Sequence, residues 1–335
     1  MGLDGKDIQC IRNLYCQQTA KVKYGDITTT DLHIHRGVRQ GCILSPLLFN
    51  IYSEKIFQES IAEENRGIKV NGTFINNIRY ADDTTIIADS IEDLQHLMNK
   101  VNHHSKKFGL NMNNKKTKYM IVTKHNIPYT NASIYIDNEP IERVNNFIYL
   151  GSMLHEGWDS EKEIKRRIEM ARGASLNYQK VLTNRSINIE LRLRFMRCYI
   201  WSVLMYGAET WTLKVSSMNK IEAFEMWVYR RMLKISWTER VSNSEVLNRL
   251  RKQRELLLTI KKQKAAYFGH VIRGQKYELL QLIIQGRIEG KRGVGRKQMS
   301  WLRNIRNWTN IRTIGNLVHI ASNREEYANI VASIR

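Results

Sequence analysis

Short apolar runs of strand period alternate with helical stripes up to about residue 151, and helical period alone carries the chain beyond it. Residues 6–18 predict a short helix with Ile8, Ile11, Leu14 and Tyr15 on one side. Lys21–Tyr24 and Leu32–His35 alternate as two arms of a hairpin, with Gly25-Asp26 near its turn. The loop Arg36-Gly37-Val38-Arg39-Gln40-Gly41-Cys42 follows. Ser45-Pro46 reads as a helix opening, serine at the N-cap and proline in the first turn. Leu47, Leu48, Ile51, Tyr52 and Ile56 give that helix an apolar stripe. Phe74–Ile78 and Thr84–Ala88 are β-like runs flanking Tyr80-Ala81-Asp82-Asp83, which puts two adjacent carboxylates at a hairpin tip. Ser90-Ile91-Glu92-Asp93 has capping-box spacing, Leu94, Leu97, Met98 and Val101 repeat at helical intervals, and Gly109 closes the run. Past Gly151, the stretches Ser160–Val181, Asn188–Tyr206, Ser217–Ile235 and Ser244–Val271 are helical and strand signal almost vanishes. Gly290–Lys297 reads as a basic, glycine-rich loop leading into a helix with Trp301 and Trp308. The fold class predicted is α+β followed by an all-α region.

Charge sharpens this division. The net charge is +21, with 18 Lys+Arg against 16 Asp+Glu in residues 1–150 and 35 against 16 in residues 151–335. All seven tryptophans also fall in the second part. A near-neutral segment holding the carboxylates therefore precedes a basic, aromatic-rich one. Phosphate backbones bind basic surfaces through counterion release, and bases stack on aromatic rings. An acidic protein or membrane surface is the competing partner class. No run of 18 apolar residues suggests a membrane span, and no signal peptide is recognisable. Cys10, Cys16, Cys42 and Cys198 lack CxxC spacing, so neither a zinc site nor a disulfide framework is indicated. An intracellular protein of nucleus or cytoplasm, with reduced thiols, is the expectation.

Two carboxylates on a hairpin are suited to hard divalent cations, and two-metal phosphoryl transfer needs bridging carboxylates. An Asp-Asp pair by itself is equally at home in a solvated turn. The neighbouring blocks decide between the two. Tyr80-Ala81-Asp82-Asp83 resembles the YxDD signature of reverse transcriptases. Arg36-Gly37-Val38-Arg39-Gln40-Gly41-Cys42 with Ser45-Pro46-Leu47-Leu48-Phe49 is similar to their preceding block. Gly109-Leu110, Asn113 and Lys116-Thr117 resemble the block that follows, and Phe147–Gly151 the turn that closes the palm. The nearest likeness is to polymerases of non-long-terminal-repeat retrotransposons of the endonuclease–reverse transcriptase type. It continues through Tyr206–Trp211, Phe268–Val271 and the Gly290–Trp301 segment.

That resemblance implies partial fingers and palm over residues 1–151, a helical thumb and connection over 152–285, and a basic loop with terminal helices over 286–335. It implies RNA-directed DNA synthesis with an RNA template, a DNA primer, deoxynucleoside triphosphates and two Mg2+ ions, or Mn2+ in their place. Asp82 should be the principal metal ligand and Asp83 its auxiliary. Tyr80 should pack beside the primer end. Gly37, Gln40 and Gly41 should line the template–nucleotide surface, and Lys116 should stand near the triphosphate as proton donor or charge stabiliser. Taken alone, Lys116 is one more lysine in a solvated run, and the Gly37–Gly41 loop an ordinary helix-entry turn. Cys42 stands where many members carry aspartate. The family's first catalytic aspartate lies on a strand ahead of this sequence. Asp4, Asp7, Asp26 and Asp31 are the only acids before the Gly37 loop. The expectation is a truncated, inactive polymerase, the alternative being a non-catalytic nucleic-acid-binding remnant. Among the remaining residues, His33 and His35 read as an exposed strand face and His103-His104 as a helix end. Trp201, Trp211, Trp227 and Trp237 read as helical core, and Trp301 and Trp308 as base contacts. Arg192, Arg194 and Arg197 form either a phosphate-facing stripe or a solvated one.

Overall fold

The computed structural model describes residues 4–122, 133–157, 159–286 and 299–335. The chain divides into two compact units: Met1–Ile68 with Phe74–Asn114 and Ile134–Pro140, and Lys69–Thr73 with Lys115–Ser133 and Ile141–Arg335. Among the described residues the strands pair only two by two, never into a wider sheet.

In the first unit, α1 (Gly5–Tyr15) starts at Asp4, whose carboxylate accepts from the backbone of Lys6 and Asp7 while Asp7 reaches back in a capping box. Its apolar side is open to solvent, Ile8 being 56% exposed. The first hairpin differs from the expected one. Gln18–Ala20 pairs with Leu32–Ile34, and Lys23–Tyr24 with Ile27–Thr28 around Gly25. Both are arms of one long antiparallel excursion, and Gln18 is its buried anchor. Helix α2 (Ser45–Ile61) packs on α3 (Ile91–Lys107). Phe57, Ile61, Leu97 and Val101 form their core, with Ile86, Ala88 and Met112 packed against it. Only the distal part of the expected α2 stripe is buried, since Leu47 is 57% exposed while Ile56 is buried.

Two caps also depart from expectation. Ser45 is the first residue of α2, not its N-cap; its hydroxyl turns back to donate to the Arg39 carbonyl (2.6 Å). Ser90 does cap α3 through the Asp93 N–H, but Asp93 forms no reciprocal bond because its carboxylate is held by Arg66. Gly109 (φ +70°) follows the C-cap of α3 as the spacing predicts.

The second unit contains a hairpin, Asn146–Tyr149 with Ser152–His155, whose two-residue turn Leu150-Gly151 has positive φ at both positions. Strand structure therefore persists past residue 151, because the left-handed turn sits there. Helices follow: α4 (Glu161–Asn177), α5 (Gln179–Leu182), α6 (Ile189–Met196), a π-helical turn Arg197–Trp201, α7 (Ser202–Met205), α8 (Val215–Leu233), α9 (Asn243–Leu250), α10 (Leu256–Arg273), α11 (Glu278–Gln285), α12 (Trp301–Thr309), α13 (Ile314–Ser322) and α14 (Arg324–Ser333). The stretch of helical periodicity over Ser244–Val271 forms two helices, parted at Arg251, which takes a left-handed conformation (φ 51°). From α8, the buried Glu225 then captures the free N–H groups of Glu255 and Leu256 at 2.8 and 3.1 Å, so a side chain from another helix caps α10. Burial pushes the Glu225 carboxyl up from its ordinary pKa, and Tyr229 donates to the same oxygen.

Helix α10 is the spine of this unit. Leu256, Leu257 and Ile260 belong to a large core with α4, α6 and α8, while Ala265 and Phe268 belong to a second with α12 to α14. Lys264 lies fully buried at the seam. Its ammonium donates to the Trp211 carbonyl and to Asn304 Oδ1 (3.0 Å) and sits over the rings of Trp301 and Trp308. The expected basic loop at Gly290–Lys297 lies outside the described residues.

Candidate functional site

Asn77–Tyr80 and Asp83–Ile86 pair antiparallel with Tyr80 opposite Asp83, leaving Ala81-Asp82 as a two-residue loop. Directly opposed residues share a face of the ribbon, so Tyr80 and Asp83 stand side by side and Asp82 caps the tip. Ala81 has φ 53°, a left-handed conformation in which a non-glycine residue is strained. The other face of the ribbon mounts it on α2. Arg79 pairs with Glu54 at 2.8 Å, and its guanidinium lies 4.6 Å from the centre of the Phe57 ring. Asn76, just ahead of the strand, donates to the Ile61 carbonyl (3.0 Å) and accepts from the Ile87 N–H (2.8 Å). This mounting is invisible in the sequence: nothing about Glu54 and Arg79 suggests that they meet.

Asp82 and Asp83 are exposed. Among the described residues neither takes part in an ion pair or a side-chain hydrogen bond, so their oxygens are not committed to a neighbour. Such a pair fits a hard divalent cation in donor type. It does not fill a site by itself: among the described residues no three His, Cys, Asp or Glu side chains gather to hold a metal ion.

Gly37 (φ +100°) and Gly41 (φ +81°) need glycine for their backbone angles, and a Cβ on either would meet nothing within 4 Å. The loop is thus an open surface, with Gln40 exposed in a turn beside Gly41. Its rear is pinned. The Tyr15 hydroxyl lies 3.4 Å from Cys42 Sγ and 3.0 Å from Ser45 Oγ. That hydroxyl, followed by the Leu44 backbone, brings the Cys42 thiol down to about 7. The fold also draws two sequence blocks together: the Arg36 guanidinium lies 4.0 Å from where a Cβ on Gly109 would stand. At the same helix end, Tyr52 donates to the Phe108 carbonyl with their rings edge to face at 5.7 Å.

Lys116 belongs to the second unit, exposed in the turn ahead of the strand Lys118–Tyr119. In that unit the Leu150-Gly151 turn is clamped. Buried Glu163 accepts from Arg167 (2.7 Å), Arg166 (2.9 Å) and the Met153 N–H (3.0 Å), and both arginines donate to the Gly151 carbonyl. Tyr206 donates to the Leu150 carbonyl (2.8 Å), with Arg167 over its ring.

Several expectations give way here. Trp201 and Trp211 are core, but Trp237 is 89% exposed on a short capped turn. Trp227 is half-buried between Arg172 and Arg231. Trp301 donates to the Glu209 carbonyl and, like Trp308, packs into the helical core, so both rings are scaffold and not free faces. Arg192 is buried, donating to the carbonyls of Leu182, Ile187 and Met232, and Arg197 pairs with Glu255. Of the expected stripe only Arg194 remains exposed and without an ion pair. Among the described residues no helix is long and apolar enough to cross a membrane.

An acid-tipped hairpin mounted on α2 and an open glycine loop leading into the same helix fit what the chain is similar to. Residues 4–154 match the family of reverse transcriptases (RNA-dependent DNA polymerases). Similar proteins carry names of transposable elements. An uncharacterised transposon-derived protein of Caenorhabditis elegans is 26% identical over 247 residues, covering 71% of this chain and 87% of its own length. The RNA-directed DNA polymerase named for transposon X-element of Drosophila melanogaster is 21% identical, over 64% of this chain and 24% of that protein. The Pol polyprotein of the type-1 retrotransposable element R2 of Popillia japonica is 25% identical, over 45% and 26%. The chain spans about a quarter of the length of these last two.

Proposed function

We propose that this chain is part of a non-long-terminal-repeat retrotransposon polymerase of the endonuclease–reverse transcriptase type, which extends a DNA primer on an RNA template. The observation that carries the reading is the Asp82-Asp83 tip: two uncommitted carboxylates rigidly mounted on α2 within the residues that match reverse transcriptases. Asp82, with Asp83 as auxiliary, would hold Mg2+ or Mn2+, which would activate the primer hydroxyl and neutralise the phosphates. In that chemistry the primer 3′-oxygen bonds to the α-phosphorus of a deoxynucleotide and pyrophosphate leaves. Tyr80, on the face it shares with Asp83, would pack beside the primer end. Gly37 and Gly41 would let a base pair approach the backbone, and Gln40 would hydrogen-bond there without adding charge.

The four earlier acids do not complete the site in this reading. Asp4 and Asp7 cap α1, Asp31 faces Lys21 at 3.6 Å, and Asp26 lies in the turn between Lys23–Tyr24 and Ile27–Thr28. In this reading residues 151–335 supply nucleic-acid binding through their charge, and the Asp82-Asp83 pair alone does not support primer extension. A primer-extension assay with Mg2+ tests this: no product is expected, whereas extension that Asp82→Asn abolishes would show the pair to be sufficient. The charge of residues 151–335 supports the second reading, a binding remnant without catalysis. If coding sequence upstream continues in frame with an aspartate-bearing strand, the longer product extends the primer. A stop codon there leaves binding alone.

A further inference from the structure

Three aromatic rings meet at the surface of the second unit. Tyr178, the C-cap of α4, is 5.1 Å edge-on from Phe195 on α6 and 5.7 Å from Tyr199, and Phe195 and Tyr199 are 4.5 Å apart, measured between centroids. Phe195 seals the group against the helical core, while Tyr178 and Tyr199 remain 38% and 51% exposed. Tyr199 sits in the π-helical turn Arg197–Trp201, whose Ile200 and Trp201 are buried. A π turn is a rare departure from regular helix and recurs at functional sites. The unpaired charges nearest to these rings in sequence are of one sign. Lys180, Arg185 and Arg194 are exposed and in no ion pair among the described residues. The acids nearest in sequence are engaged, Glu169 with Arg172 (2.8 Å) and Glu190 with Lys252 (3.6 Å).

We propose that Tyr178, Phe195 and Tyr199 form a stacking platform for the unpaired bases of a single-stranded nucleic acid, with Lys180, Arg185 and Arg194 on its phosphates. Exposed rings beside uncompensated cations match a strand that offers base faces and backbone charge together. An apolar protein helix laid on the rings would instead leave three cations without counter-charges. The inference rests on the nucleic-acid reading above but not on the metal site.

The test measures binding of the full chain to a labelled single-stranded RNA of about 16 nucleotides and to its duplex, across a salt series. Tyr199→Ala is expected to weaken single-strand binding by about tenfold with the salt slope unchanged and duplex binding unaltered. Tyr199→Phe should restore it, and Arg194→Gln should lower the slope by about one. Ultraviolet irradiation of the wild-type complex should crosslink peptides containing Tyr178 or Tyr199, a readout independent of how the variants fold. Equal single-strand affinity in Tyr199→Ala, with crosslinks elsewhere, would overturn the platform alone. A dimer that Tyr199→Ala dissociates without changing RNA affinity would make the patch a protein interface. A wild-type chain that binds no RNA would overturn both this inference and the reading it rests on.

Discussion

Ala81 is the residue where local conformation and candidate function collide. A two-residue hairpin loop is usually built with glycine, asparagine or aspartate at positive φ, yet alanine holds φ 53° here. The left-handed conformation costs an L-residue about 1–2 kcal/mol. We expect Ala81→Gly to raise stability slightly, by about 0.5 kcal/mol, because relief of strain outweighs the extra unfolded-state entropy. Ala81→Val should lower it by about 1 kcal/mol or more, since a β-branched residue tolerates that region poorly. Urea unfolding of the two variants checks both signs. The carboxylates and loop glycines could be read residue by residue from the sequence, because turn chemistry and a repeated motif are local signals. Ser45 and Asp93 could not: each has a capping residue's identity, but the Arg39 carbonyl in the preceding loop and the distant Tyr15 and Arg66 decide what its oxygen does.

At the scale of elements, the Leu150-Gly151 turn shows how a hairpin is fixed by a helix. Glu163 and Arg167 are buried partners one helical turn apart on α4, and Arg167 and Arg166 both donate to the Gly151 carbonyl. Removing one member of a buried ion pair strands the other charge and costs about 3–5 kcal/mol. Glu163→Ala is therefore expected to destabilise the second unit by about that amount, and thermal melting measures it. Periodicity placed the helices of residues 160–273 well, because an apolar stripe that must be buried marks its own period. It missed the break at residue 251 and the π turn at 197. The first depends on Arg251 adopting a left-handed angle and on Glu225 reaching in from α8. No stripe records either.

At the scale of the whole molecule, the chain is a basic protein that buries the Lys264 ammonium with no acid paired to it among the described residues. Burial pushes Lys264 from its ordinary 10.5 down to about 7. Below about 7 both folded and unfolded chains carry the proton. Between about 7 and 10.5 only the unfolded chain does, so unfolding takes up a proton and raising the pH favours the folded state. The melting temperature is expected to rise across that window, and the Lys264-dependent part of the rise should vanish in Lys264→Met; melts from pH 6 to 10 decide.

Order along the chain was enough to reveal the α+β-then-α succession, the acid-tipped hairpin, the glycine loop and the one-sided charge. All four arise from neighbours along the chain or from composition. Only the tertiary structure decided which charged and aromatic groups are free. Arg192, Trp301 and Trp308 look in sequence like surface for a ligand, and packing makes them scaffold. Tyr178, Phe195 and Tyr199 look like scattered aromatics, and helix packing gathers them on the surface. Desolvation depends on what stands opposite a side chain in space, and residues opposite one another in space can be far apart along the chain.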